Sequence, residues 1–170
     1  MRSVVSPTPY GECERSLLYL AGDVSGANWQ AQFESSLADL KGTLFNPRAP
    51  NSATRNGIAR TETMWEFAAL RQSDLIAFWF SEGEINPITL FELGAQMQRL
   101  ALLCGPAGGS ARLPPKIFIG AARGYLKAVD VRIQTELLMP LTPIVETLPE
   151  LIALTGDFVT TFTAQDYTAH

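Results

Sequence analysis

The sequence predicts a three-layer α/β domain, a mainly parallel sheet with helices on both faces. Three observations point there. Short apolar runs alternate with stretches whose apolar residues recur at helical spacing, from residue 16 to about residue 154. One run, "DLIAFWF" over 74–80, is apolar without alternation, as in a central strand covered on both sides. A length of 170 residues, 46% hydrophobic and 18% charged, suits one ordinary globular unit with a proper core.

The elements follow in order. Residues 1–15, with two prolines and no apolar run, read as a flexible arm. "SLLYLAG" over 16–22 is an apolar run stopped by glycine, the first strand. Trp29, Phe33, Leu37 and Leu40 recur at helical spacing over 28–41, and Gly42 ends the pattern. "TLFN" over 43–46 is a second strand. The polar run 47–60 is long for a connection in a compact domain, and such loops tend to be functional or disordered. Thr63 and Glu66 have the spacing of a capping box, which opens a helix to about residue 72. The third strand, 74–80, leads to Asn86, a good N-cap, and Pro87 at a first helical position. That helix runs to about Cys104. The Gly-rich patch 104–112 precedes no helix pattern and reads as a link rather than a phosphate loop. A strand over 116–121, a helix over 126–138, a short strand over 143–146 and a helix from Leu148 to about Leu154 complete the set. Thr147 and Glu150 supply a second capping box. The expectation is a five-stranded, flavodoxin- or Rossmann-like parallel sheet within a single unit over 16–158, followed by a tail over 159–170.

Charge and composition exclude several functions. A net charge of −4 argues against polymeric nucleic acid as the partner, since phosphate backbones need a basic surface. It leaves room for a single nucleotide. The one histidine is His170, so a histidine triad or histidine metal cluster is not expected. Cys13 and Cys104 have no metal or disulfide spacing. Neither a signal-peptide pattern nor a membrane-length apolar run is visible, which predicts a cytoplasmic protein.

In a parallel α/β sheet, ligands bind outside the carboxyl ends of the strands. This rule sorts the acids. Glu92 sits within the first two turns of the helix after the third strand, on a run (Ile88, Leu90, Phe91, Leu93) that otherwise looks built for packing. Glu66 begins the helix leading into that strand, so it reaches the same edge. The turn Gly22-Asp23 arrives there too, and Tyr19 lies three residues earlier. Asp74 starts its strand at the opposite edge, where a structural role is expected. Two carboxylates facing one crevice suit chemistry at a sugar carbon, one attacking the anomeric centre and the other handling a proton. A helix N-terminus would favour an ionised Glu92, as a nucleophile requires. Plainer readings stand beside these: Glu66 as a cap, Glu92 as a solvated helix residue, Asp23 as a turn former, Asn86 as an N-cap, and Trp65 and Trp79 as packing. The residues alone reach an α/β domain with an acidic crevice.

Five motifs in order resemble the nucleoside 2-deoxyribosyltransferase family, in particular its short 2-deoxyribosyltransferase-like branch. They are "LYLAGD" (18–23), "LFNPR" (44–48), "WE" (65–66) ahead of "SDLIAFWF", "NPITLFELG" (86–94) and "DVRIQTEL" (130–137) after "GAARGY". The resemblance implies a covalent glycosyl intermediate on Glu92 after the base departs. It implies a role for Glu66 in protonating the base, and for Tyr19 in positioning the nucleophile. It places Gly22 and Asp23 beside the nucleobase, and Asn46, Arg48, Asn86 and Thr89 among substrate-binding positions. One departure concerns the sugar: six residues before the nucleophile, where the family carries aspartate, this chain has Asn86. The implied activity is cleavage or transfer of an N-glycosidic bond in a nucleoside or nucleotide. No cofactor or metal is expected, and a homo-oligomer, dimer or higher, is. A nucleotide would need cations, for which Arg48, Arg55, Arg60 and Arg123 are candidates. The alternatives are an N-glycoside hydrolase and a non-catalytic nucleotide-binding or sensing module.

Overall fold

A computed structural model describes residues 1–49, 59–104 and 115–162. Arg55, the 104–112 patch beyond Cys104, and His170 lie outside those residues. The described chain forms strands β1 (Arg2–Val5), β2 (Leu17–Gly22), β3 (Thr43–Asn46), β4 (Leu75–Phe80), β5 (Lys116–Ala121) and β6 (Ile144–Val145). Its helices are α1 (Trp29–Ser36), α2 (Ala59–Gln72), α3 (Pro87–Cys104), α4 (Ala128–Leu138) and α5 (Leu148–Thr161). All strand pairs are parallel, in the order β1-β3-β2-β4-β5-β6. This is the three-layer, Rossmann-like α/β fold that the sequence predicts.

The sheet has six strands rather than five, and the sixth comes from the expected arm. Arg2–Val5 pairs with β3, Val4 opposite Phe45. Only Val4 of the strand is buried. An edge strand needs backbone partners more than an apolar run, so nothing in its side chains announces it. The Met1 ammonium donates to the Leu37 and Ala38 carbonyls at 2.7 Å each, fixing the chain end.

The central strands alternate between two cores. Tyr19 and Ala21 of β2, with Ile76, Phe78 and Phe80 of β4, pack beneath α2, α3 and α4. Leu18, Leu20, Leu75, Ala77 and Trp79 face α1 and α5. Burying each such large side chain contributes about 1.5–3 kcal/mol. Trp65 and Trp79 are both buried in these cores, so both are packing residues. Asp74, at the amino edge, accepts the Leu17 amide at 2.8 Å and the Arg15 guanidinium at 2.5 Å, and so fastens β2 to β4.

Three boundaries differ from expectation. Helix α1 stops at Ser36, and Leu37 and Leu40 continue into a turn that still buries Leu37. Helix α5 runs on to Thr161, where an end near residue 154 is predicted, because Thr155 and Val159 continue its buried face past Gly156 and tertiary packing overrides the local propensity. Helix α2 begins at Ala59, so Thr63 lies inside it and the expected capping box does not form there. Ala59, Arg60 and the residues after them carry no breaker, and helix propagates through such a run. Among the described residues no helix is long and apolar enough to cross a membrane.

Candidate functional site

Without β1, the strand order reverses direction between β2 and β4. The crevice at the carboxyl ends of two such strands is where parallel α/β sheets place ligands. A cavity of about 380 Å³ opens there. Glu66, Glu92, Tyr19, Gly22, Asp23, Asn86 and Thr89 all line it. Seven of the nine expected site residues, from β2, α2 and the β4–α3 segment, therefore meet at one place.

Helix α3 explains the setting of Glu92. Leu93, Met97 and Leu100 form its buried apolar stripe, and Thr89, Glu92 and Gln96 form a polar stripe beside it at the three- and four-residue spacing of one helix face. Ile88 and Phe91, which look like packing residues in sequence, are exposed at 68% and 76%. They point away from the core because the helix rotates Thr89, Glu92 and Leu93 inward. Burial, followed by the charge of Glu66, raises the Glu92 carboxyl from 4.5 to about 7. Burial beside Glu66 therefore works against the helix N-terminus, which favours an ionised Glu92, and the net direction is upward. The macrodipole effect at a helix end is about 0.3–1 kcal/mol, less than desolvation beside a second carboxylate costs.

Glu66 stands in the second half of α2, one residue after Trp65, whose ring anchors the helix in the core. Its carboxyl also rises to about 7, through burial and then the charge of Glu62. Tyr19, fully buried in β2, lines the cavity together with these acids. Burial pushes its phenol well up, and the charges of Glu92, Glu66 and Tyr10 push it further. Among the described residues no hydrogen bond joins Tyr19 to Glu92.

Gly22 lets the cavity floor approach the other core. A Cβ there would meet a Trp29 ring carbon and the Trp79 carbonyl at 2.6 Å each. Asp23 accepts the Ser25 amide and hydroxyl and the Gly26 amide, at 2.6–2.9 Å. Burial would raise the Asp23 carboxyl, but these bonds and Arg48 hold it below its ordinary value. Asn86 precedes Pro87 with φ of +51°, a left-handed conformation that asparagine tolerates. Its carbonyl accepts the Leu90 amide at 3.0 Å, while its buried side-chain Nδ2 has no partner among the described residues.

Two expected residues do not line the cavity. Asn46 donates from Nδ2 to Glu34 at 2.9 Å and accepts the Arg48 amide at 2.9 Å. The Arg48 guanidinium donates to the Gly26 carbonyl at 2.6 Å and the Ala27 carbonyl at 3.3 Å, bracing the 23–28 turn. Arg60 is exposed on the first turn of α2, and Arg123 pairs with Glu146 at 2.8 Å away from the cavity. Glu84 lines the cavity and was not singled out in the sequence. Its signal was its place in the loop leaving β4 at the carboxyl edge.

The family model described as "Nucleoside 2-deoxyribosyltransferase like" matches residues 15–106. The chain belongs to the nucleoside 2-deoxyribosyltransferase-like family. The matched segment spans β2 through α3 and so holds every residue that lines the cavity. No match to an individual curated protein accompanies it. In this nucleoside 2-deoxyribosyltransferase-like chain, Glu66 and Glu92 both line the cavity within the matched segment.

Proposed function

We propose that the protein cleaves or transfers the N-glycosidic bond of a nucleoside or nucleotide through a covalent intermediate on Glu92. The observation that carries this reading is the pair of carboxyls from α2 and α3, both raised to about 7 in one cavity. Like charges in a shared site titrate in separate steps, so over an intermediate pH window the pair holds one proton. One acid is then ionised and the other protonated, which are the two roles the reaction needs.

In this mechanism the ionised Glu92 carboxylate attacks C1′. The C1′–N bond breaks, its electron pair leaves with the base, and the Glu66 proton goes to the base nitrogen. An acceptor base or water then attacks C1′, gives its proton to Glu66 and releases Glu92. A base acceptor completes transfer, and water completes hydrolysis. Tyr19 fixes the space beside both acids. Gly22 and Asp23 form the wall against the base, braced by Asn46 and Arg48. Thr89 shares the Glu92 face, and the unpaired Nδ2 of Asn86 offers a donor to a sugar oxygen. Leaving such a donor empty costs about 1–3 kcal/mol, which a bound hydroxyl would recover.

The test is a glycosyl-release assay. Wild type and Glu92→Ala are incubated with ribo- and deoxyribonucleosides and their 5′-monophosphates, with and without free base, and followed by chromatography. Release or exchange in wild type that is lost in Glu92→Ala is expected. Exchange faster than release marks a transferase, release alone a hydrolase. Inactivity across the panel, with nucleotide binding retained, would favour a sensing module.

A homo-oligomer is part of the same proposal. Val129, Ile133 and Leu137 form an exposed apolar stripe along α4, a face suited to a second copy. Light scattering should give a mass of at least two chains, and Ile133→Glu should lower it.

A further inference from the structure

We propose that Tyr10, in the segment between β1 and β2, is a positioning residue that sets the orientation of Glu66. The inference rests on the proposed role of Glu66 as the acid of the reaction. Residues 6–16 cross back from β1 to β2, and Tyr10 settles between β3 and α2. Its ring meets Phe45 edge-on at 5.1 Å between centroids and Trp65 at 5.3 Å. Its hydroxyl donates to the Trp65 carbonyl, and the Ala69 amide interacts with the same phenolic oxygen. Residues 65 and 69 are the pair whose backbone groups close one turn of a helix, and Glu66 lies inside that turn. The hydroxyl therefore grips the backbone that aims the carboxylate.

Further contacts make the grip rigid. The Trp65 indole Nε1 donates back to the Thr8 carbonyl at 2.7 Å. The Arg2 guanidinium donates to the Tyr10 carbonyl at 3.0 Å and the Glu12 carbonyl at 2.6 Å. Trp65 is the first buried apolar anchor in the described part of α2 after Arg60. Met64 and Phe67, which flank Trp65 and Glu66, are each 61% exposed, and the next buried residues of the helix are Ala69 and Leu70. The groups that face Glu66 are Glu62 on its own helix, Glu92 on α3 and Tyr19 on β2. Turning or loosening this segment changes the distance from Glu66 to all of them and to water.

The test uses the full chain and Tyr10→Phe, which removes only the hydroxyl. Glu66 and Glu92 are titrated by carboxyl-carbon NMR, and the rate of base release is followed against pH. In Tyr10→Phe the Glu66 midpoint should fall by about half a unit or more, because a freer side chain reaches water. The turnover number should drop about 5–10-fold with KM nearly unchanged, the mark of a misplaced acid rather than lost binding. A midpoint and rate profile that overlay wild type, with only a lower melting temperature, would overturn the proposal and leave Tyr10 a packing residue. If wild type releases no base, the functional reading fails while the NMR titration still decides the positioning claim. If Tyr10→Phe does not fold, Trp65→Phe removes the bond to Thr8 in the same clamp. The same fall in the Glu66 midpoint is then expected, and an unchanged midpoint overturns the proposal.

Discussion

Thr63-Met64-Trp65-Glu66 and Thr147-Leu148-Pro149-Glu150 spell one four-residue pattern and reach different ends. At the second, Thr147 is the N-cap of α5. Its hydroxyl accepts the Glu150 amide at 3.3 Å, and Glu150 accepts the Thr147 amide at 3.1 Å. The Thr147 hydroxyl and the nearby amides lower the Glu150 carboxyl. At the first, α2 has already begun at Ala59, so Thr63 caps nothing and Glu66 turns toward the cavity, where burial raises it to about 7. A glutamate satisfied by its own helix end is spent on local structure. A glutamate denied that bond and half-buried beside another acid is available for chemistry.

Four experiments break or sharpen this contrast, from the largest expected effect down. Glu92→Gln removes the partner acid and should lower turnover by about 10⁴-fold or more, as for other lost nucleophiles. Failure to trap a glycosyl adduct by intact mass spectrometry, with activity retained, would remove Glu92 from the mechanism. Glu66→Gln should cost about 10²–10⁴-fold, the usual worth of a general acid, and should abolish the pH limb it controls. Glu150→Gln should leave turnover untouched, so equal losses in both variants would erase the distinction.

The third experiment concerns stability against pH. Glu66 and Glu92 have folded-state values near 7 against 4.5, so the folded chain holds their protons more tightly. Their contribution is fully present below about pH 4.5 and is lost as pH rises toward 7, by at most about 1.4 kcal/mol per pH unit for each group. Glu150 has the opposite sign: its contribution is present above pH 4.5 and is lost as pH falls below that. Urea unfolding from pH 3 to 8 reads both, and Glu66→Gln should flatten the upper slope. The smallest effect is at the threonines. Thr147→Ala should cost about 1 kcal/mol as a lost N-cap, and Thr63→Ala less than about 0.5 kcal/mol. A larger loss at Thr63 would mean that it supports α2 in some other way.

Much of this site is written in local pattern. Strand β4 is apolar on both faces and could only be central, and the polarity of a parallel sheet then sends Glu92, Gly22 and Asp23 to one edge and Asp74 to the other. Asn86-Pro87 marks the start of α3. The strand β1 was not legible, because backbone pairing with β3 holds it and only Val4 needs burial. The start of α2 was not legible either, since no breaker separates Ala59 from Thr63. Arg48 looks like a phosphate ligand in sequence, yet its guanidinium is taken by carbonyls of the 23–28 turn that only the fold brings near.

By itself, then, the sequence determined the alternation of strands and helices, the sheet edge that gathers the acids, and the family. Those depend on hydrophobic period and chain direction, which are local. Only the tertiary structure decided that Glu66 is a cavity acid rather than a cap, that burial raises both glutamate carboxyls, and that Tyr10 grips the turn beside them. Burial, mutual repulsion and a hydrogen bond between residues 10 and 65 exist only when distant segments pack together.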